Sequence, residues 1–278
     1  MTQMRQELRR AADVLRSAQA LLIGAGAGMG VDSGLPDFRG TEGFWRAYPA
    51  YEKLGLDFSS LANPQWFERD PELAWGFYGH RLGLYRATTP HPGFSLLRSW
   101  GSRMPHGAFV FTSNVDGQFQ KAGVPEERLF EIHGSIHFVQ CLGSCTEVVS
   151  ADAYSVDVDP ETFRARSPLP VCSRCGSLVR PNILMFNDWD WNDSRSQAQE
   201  RRLTQWLDTV EPGTLAVVEC GAGTAIPSVR RFCERVASSR GTLIRINVRE
   251  PQVPSGGISL PLRALEALQG IEEELARG

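Results

Sequence analysis

Four of the six cysteines fall in two short pairs, Cys141-x-x-x-Cys145 and Cys172-x-x-Cys175. Thiolates presented two at a time by short loops are the donor set of tetrahedral zinc. The second hook has the usual spacing with Gly176 behind it, the first holds one extra residue, and 26 residues separate them. Four sulfur ligands leave no open coordination position, so such a zinc is structural and takes no part in a reaction. A redox pair at 172 and 175, or four unrelated buried thiols, would also place cysteines here. Cys220 and Cys233 are expected in a core.

A second group of residues suits nucleotide and acid–base chemistry. The run Gly24-Ala25-Gly26-Ala27-Gly28-Met29-Gly30 follows the apolar Ala20-Leu21-Leu22-Ile23. Glycines there let main-chain N–H groups approach a pyrophosphate, and the N-terminus of a following helix favours the anion. A tight strand-to-helix turn with no ligand would use the same residues. Ser33-Gly34-Leu35-Pro36-Asp37-Phe38-Arg39-Gly40 says more, because packing does not require Asp, Phe and Arg in a row beside Pro and Gly. Such a loop can fold over a ligand, with Phe38 as a lid and Arg39 pairing with charge. Asn114 and Asp116 follow an apolar strand at 109–111, two apart, and would point the same way if the strand ran through them. An amide beside a carboxylate can fix a carboxamide or a water; capping of the helical segment 116–122 is the alternative. His133 follows the strand 129–132 and precedes Gly134, a good position for a general base, although a structural imidazole could sit there too. His137 reads as structural. His80, His91 and His106 carry no chemical signal.

These residues need a frame. Residues 4–19 place Met4, Leu8, Ala11, Ala12, Leu15 and Ala18 on one helical face. Short apolar strands are expected at 20–23, 109–111, 129–132, 215–218 and 243–246, with helices at 116–122, 227–238 and 262–276. Their alternation implies a Rossmann-like α/β fold, a parallel sheet with helices on both faces. Carboxyl ends of parallel strands line a ligand crevice, which is where the glycine run, Asn114, Asp116 and His133 fall. Two stretches break the rhythm: 42–95 is aromatic-rich and helical, and 138–185 holds the cysteine pairs. Both are read as insertions that form a smaller lobe. The main lobe is then 1–41, 96–137 and 186–278, within a single catalytic domain.

Composition bounds the rest. The chain has 278 residues, 42% of them apolar, with 29 basic and 32 acidic side chains and a net charge of −3. That is globular composition without a basic surplus, so no direct nucleic-acid binding is expected. No apolar run is long enough to span a membrane. The N-terminus is too polar for a signal peptide, so a cytoplasmic location and reduced cysteines are expected.

Taken together, these pieces resemble the sirtuins, the NAD-dependent protein deacylases. The resemblance runs in order through Gly26-Ala27-Gly28, Ser33 to Gly40, Thr112-Ser113-Asn114-Val115-Asp116-Gly117, Glu131-Ile132-His133-Gly134-Ser135 and the four cysteines. It continues through Arg180-Pro181-Asn182-Ile183-Leu184-Met185-Phe186, Gly221-Ala222-Gly223-Thr224 and Ile246-Asn247. It implies an inverted-order Rossmann lobe joined to a small zinc-bearing lobe, with NAD between them and an acyl-lysine protein or peptide entering from the other side. NAD contacts are implied for Gly26, Ala27, Gly28, Pro36, Asp37, Phe38 and Arg39. Asn114 and Asp116 would belong to the nicotinamide pocket, Ser113 and His133 would also contact NAD, and Gly221, Gly223, Thr224 and Asn247 would serve the adenosine half. The acyl oxygen would attack the ribose carbon and expel nicotinamide. His133 would act as general base, helped by Asn114 and Asp116, and O-acyl-ADP-ribose would leave. Met185, Phe186 and Asn187 resemble the substrate loop, which pairs with the peptide as an added strand. Tyr78-Gly79-His80-Arg81 resembles the Tyr-x-x-Arg of a subgroup that prefers succinyl and malonyl chains. There Arg81 would fork onto the distal carboxylate and Tyr78 would add one bond.

The sequence also departs from the family: Ser113 stands where Gln is usual, and Gly223 replaces the Ser of the usual Gly-Thr-Ser turn. Three functions therefore compete. The first is protein-lysine deacylation, acetyl or acidic-acyl. The second is ADP-ribosyl transfer or NAD hydrolysis on the same fold, which loss of Gln at 113 fits. The third is an NAD-binding interaction protein with a degenerate site, which the retained His133, Asn114 and Asp116 argue against.

Overall fold

The computed structural model describes residues 3–37, 44–45, 48–53, 55–143 and 145–277. Phe38 and Arg39, the expected lid and charge partner, lie outside the described residues.

The apolar runs form one parallel sheet. Strand β1 (Ala20–Ala25) lies at its centre, with β2 (Ala108–Thr112) and β3 (Leu129–Glu131) on one side. The chain then builds a separate antiparallel sheet from β4 (Gly134–Cys141), β5 (Val148–Ser150) and β6 (Val179–Ile183). It returns with β7 (Leu215–Cys220), β8 (Gly241–Ile246) and β9 (Ile258–Leu260) on the other side of β1. Every residue of β1 is buried, and both neighbours run parallel to it, which is why its sequence is a continuous apolar run rather than an alternating one. Counted within the parallel sheet the order is 3-2-1-4-5-6, the ordinary Rossmann order and not an inverted one. The order reverses between β1 and β7, and the carboxyl ends of those two strands define the ligand crevice.

Helices cover both faces, as the alternation implied. On one face α1 (Gln3–Ser17) contributes Ala11, Ala12 and Leu15 to a core that also holds Cys220. The helix α2 (Pro71–Ala87) belongs to the small lobe, whereas α3 (Pro92–Ser102) returns to this first face with Phe94, Leu97 and Trp100. The other face takes α4 (Ser194–Asp208), through Leu203 and Trp206, and α5 (Ser228–Arg240), through Val229, Cys233 and Val236. The last helix, α6 (Ala264–Ala276), packs against α1 through Leu268 and Ile271. No helix among the described residues is long and apolar enough to cross a membrane.

The two insertions share one core. Trp75, Phe77 and Tyr78 of α2 pack with Val139, Val179 and Ile183 of the antiparallel sheet. The Trp75 indole N–H donates to the Val179 carbonyl at 2.9 Å. Arg86 donates to the Tyr154 and Ala151 carbonyls at 2.8 and 2.7 Å, tying the helical part to the cysteine-bearing part. Pro92 onward packs on the main sheet, and the small sheet already begins at Gly134.

The four thiols converge. Their Sγ atoms all lie within 4.8 Å of one another, with Cys141 and Cys175 3.5 Å apart. Zinc–sulfur bonds of about 2.3 Å in a tetrahedron set sulfurs about 3.8 Å apart, so the donor set fits the ion. The second hook closes by main-chain bonds, Cys172 N–H to Ser177 O at 2.7 Å and Gly176 N–H to Cys172 O at 2.9 Å. Gly176 takes the left-handed φ of +74° that this turn needs. The purified protein is therefore expected to carry one zinc per chain by metal analysis. Cys175→Ser should release it and lower the melting midpoint by about 5 °C or more. A folded, metal-free parent would refute the site.

Candidate active site

At the switch point the loops after β1 and β7 touch main chain to main chain. Gly26 N–H donates to Cys220 O at 3.0 Å, and Gly28 N–H to Gly221 O at 3.1 Å. A Cβ on Gly26 would lie 2.7 Å from Ala222 Cα, and one on Gly28 would lie 2.7 Å from Gly221 Cα. These glycines are thus demanded by loop packing. The helix expected after the loop is replaced by two three-residue 3-10 turns, Ala27–Met29 and Val31–Ser33. Among the described residues no long helix begins here whose N-terminus could hold an anion.

A cavity of about 620 Å³ opens beside these loops. Gly26, Ala27, Pro36, Asp37, Ser113, Asn114, Asp116, His133, Gly221, Gly223 and Thr224 all line it, as do Tyr78, Arg81, Met185 and Phe186. Gly28, Asn187 and Asn247 do not. Asn247 spends its side chain on main chain: Nδ2 donates to Ala222 O at 2.8 Å, and Oδ1 accepts from Arg249 and Glu250 N–H at 3.0 Å each. It therefore shapes the loop rather than facing the cavity. That loop presents Glu250, which carries no signal in the sequence. The Glu250 carboxylate accepts from the Thr224 hydroxyl and from Thr224 N–H, and Arg249 lies 3.7 Å from Asp37.

Strand β2 ends at Thr112, so Asn114 and Asp116 sit in the following turn. Asn114 N–H donates to Thr112 Oγ1 at 3.0 Å, and its amide Nδ2 donates to Gly26 O at 3.0 Å, bridging two crevice loops. Asp116 Oδ1 accepts from Gln118 N–H at 2.9 Å and tightens the turn into the short helix Gln118–Lys121. Capping and cavity lining thus coexist in one residue. Burial pushes the Asp116 carboxyl up to about 6, with the Glu131 charge adding to the rise and the Gln118 N–H opposing it.

His133 stands just beyond β3, half-buried, and its carbonyl accepts from Leu184 N–H at 3.0 Å. Gly134 behind it has φ +74°, and a Cβ there would collide with Asn182 O. Burial holds the His133 imidazole below its usual range, opposed by a hydrogen bond to the Ser113 main chain. His137 is structural as expected, its Nε2 3.0 Å from Asp116 O. His91, without signal in the sequence, caps α3: Nδ1 accepts from Gly93 N–H at 3.0 Å, and Nε2 lies 2.9 Å from Met29 O.

The substrate-loop candidate is pinned from below. Arg180 donates to both Asp188 oxygens at 2.7 and 2.8 Å, with both side chains buried. Met185 N–H donates to Asp188 Oδ2 at 3.2 Å and Phe186 N–H to Ala62 O at 2.8 Å. The N–H groups of Leu184, Met185 and Phe186 are therefore already committed within the chain. Asn187 takes the left-handed φ of +56°.

Tyr78, Arg81 and Tyr85, which also line the cavity, share one face of α2, as their spacing of three and four residues requires. The Tyr78 hydroxyl is buried with no partner among the described residues. Arg81 Nε and Nη2 both donate to Tyr85 Oη, at 3.1 and 2.7 Å.

Comparison with known proteins agrees with this geometry. Residues 26–219 match the model of the Sir2 family. The chain belongs to the Sir2 family. It is 30% identical over 265 residues to an NAD-dependent protein deacylase of Pyrococcus furiosus, covering 95% of this chain and 96% of that one. It is 31% identical over 234 residues to the mitochondrial NAD-dependent protein deacylase sirtuin-5 of Danio rerio, covering 78% and 73%. Its structure resembles that of a Sir2 homolog–NAD complex, with a TM-score of 0.69 at 25% identity, covering 96% and 93%.

The raised Asp116 carboxyl has a consequence for stability. The folded state holds this proton more tightly than the unfolded chain, so stability falls as pH rises from about 4 to about 6. Asp116→Asn keeps the acceptor for Gln118 N–H and removes the charge. The variant should gain about 1–3 kcal/mol over the parent at pH 7.5, and the gain should shrink toward pH 4, as read by denaturant unfolding. A difference that does not vary with pH would contradict the assignment.

Proposed function

We propose that this Sir2-family chain is an NAD-dependent protein-lysine deacylase that favours acyl chains ending in a carboxylate, with His133 as general base. The observation that carries the reading is one cavity with an imidazole on one wall and, on another, a guanidinium beside an unpartnered phenol. The names of the two relatives support NAD-dependent deacylation, and the likeness to sirtuin-5 accords with the Tyr78–Arg81 pair.

Bound NAD supplies the electrophilic ribose carbon, the nicotinamide leaving group and the hydroxyls that take over the acyl group. The residues of the chain do the rest. Gly26, Ala27, Pro36, Asp37, Gly221, Gly223 and Thr224 line the dinucleotide path, with Glu250 beside Thr224. For Phe38 and Arg39 contacts to the dinucleotide are proposed from the family resemblance alone. Asn114 is oriented by Gly26 O, so its side-chain oxygen and the Asp116 carboxyl can receive a carboxamide. Neutral His133 donates from one ring nitrogen to Ser113 and accepts a ribose hydroxyl proton at the other. Met185, Phe186 and Asn187 border the peptide, and Arg81 with Tyr78 meets the distal carboxylate. A cytoplasmic location and the absence of nucleic-acid partners belong to the same reading.

The test incubates the protein with NAD and acetyl- or succinyl-lysine peptide and follows nicotinamide and O-acyl-ADP-ribose by mass spectrometry. His133→Ala should lower kcat about 10²–10⁴-fold while NAD still binds. In the parent, kcat/KM should fall only below the ordinary imidazole range, because burial keeps His133 neutral at pH 7. Full turnover by the variant would remove His133 from its role. Arg81→Met should lower the succinyl-to-acetyl ratio of kcat/KM about 10-fold or more, and an unchanged ratio would defeat the carboxylate reading. Nicotinamide release at the same rate without peptide would instead favour NAD hydrolysis or ADP-ribosyl transfer.

A further inference from the structure

Tyr85 is the third member of the Tyr78–Arg81 face, and it has no part in the Tyr-x-x-Arg pattern. It is 4% exposed and lines the same cavity. Its phenol oxygen accepts two hydrogen bonds, from Arg81 Nε–H and Nη2–H. A phenol oxygen has two lone pairs, so both are used, and its own O–H must donate elsewhere. Among the described residues no hydrogen bond has that O–H as donor, and the Tyr78 hydroxyl beside it is likewise without a partner. Burial raises both phenols above their usual range, so both keep their protons at neutral pH.

The position of Tyr85 is fixed from behind. Its carbonyl accepts from Gln118 Nε2 and from Lys121 Nζ, each at 3.3 Å. The Arg81 guanidinium carbon lies 5.2 to 5.9 Å from the ring centres of Phe77, Tyr85, Phe58 and Tyr78. The guanidinium has donors only, both lone pairs of the Tyr85 oxygen are filled, and the Tyr78 hydroxyl can donate as well as accept, so this wall is rich in donors and suits a carboxylate better than an amide or a methyl.

We propose that Tyr85 is a specificity residue of the acyl pocket. It fixes the Arg81 guanidinium by its Nε–Nη2 edge and donates its own O–H to the distal carboxylate, so that three side chains read that group. This inference rests on the deacylase reading above and adds a residue to it.

The experiment uses the full chain with NAD and three lysine peptides: acetyl, succinyl, and succinamoyl, the neutral terminal amide of succinyl. Tyr85→Phe keeps the ring and its packing and removes only the oxygen. The succinyl-to-succinamoyl ratio of kcat/KM should fall about 10–100-fold, chiefly through KM, the range for a hydrogen bond to a charged group. Tyr85→Gln, which restores a donor and an acceptor, should recover part of the ratio. A ratio unchanged in Tyr85→Phe overturns the proposal, as does an equal loss on all three peptides or a melting midpoint that collapses in both variants. The two readings fail differently. If Arg81→Met destroys the succinyl preference and Tyr85→Phe does not, only the role of Tyr85 is wrong. If the parent deacylates no peptide, the deacylase reading itself has failed.

Discussion

Two main chains meet at the carboxyl end of the sheet with no side chain between them, and the site is arranged around that contact. The loops after β1 and β7 can approach so closely only because Gly26, Gly28 and Gly221 carry no Cβ. The contact brings together two strands that the chain visits far apart in sequence. It also leaves the crevice beside it open, because the loops bond to each other instead of folding across the strand ends. Asn247 reinforces the contact from β8 by holding Ala222 O, and Asn114 reinforces it from β2 by holding Gly26 O. Four strands therefore share one hydrogen-bonded rim.

The small lobe hangs from the same rim. Leu35, beyond the glycine loop, and Val115, beyond β2, are buried in the core that α2 shares with the antiparallel sheet. The segments that shape the crevice thus also anchor the lobe that carries Tyr78 and Arg81. A buried ion pair does comparable work below the loop at 184–187. Arg180 and Asp188 have both lost their water, which is tolerable because the pairing is bidentate. Asp188 then uses one oxygen to fix Met185 N–H.

What can be read from the sequence divides by the range of the signal. Each cysteine hook is a local pattern legible from its spacing, whereas their convergence is made by the pairing of β4 with β6. His133 is legible because a strand, a histidine and a glycine in left-handed geometry are neighbours in the chain. The apolar runs of β1, β7 and β8 are legible because double-sided burial leaves no alternation to misread. Asn247 stands out in the sequence, but whether its amide faces ligand or main chain is a tertiary fact. The Arg180–Asp188 pair is hidden, since burying two charges runs against every composition rule. Tyr85 is within reach of sequence reasoning, because 78, 81 and 85 fall on one helical stripe; the dense aromatics around it disguise the stripe as ordinary core. Helix α4 is not legible, because its buried face begins with Ser196 and Gln199, polar residues that read as surface.

Those two polar residues close an open edge. Strand β3 is the last strand on its side of the parallel sheet, so one row of its main-chain groups has no neighbouring strand. Helix α4 lies there instead: Gln199 Oε1 accepts from Glu131 N–H at 3.0 Å, and Ser196 Oγ donates to Glu131 O at 3.0 Å. Side chains thus imitate the strand that is missing. An uncapped edge is a template for pairing with another molecule and for fibrillar growth. By filling it at Glu131, α4 removes from the margin next to His133 the donor and acceptor that a foreign strand would need.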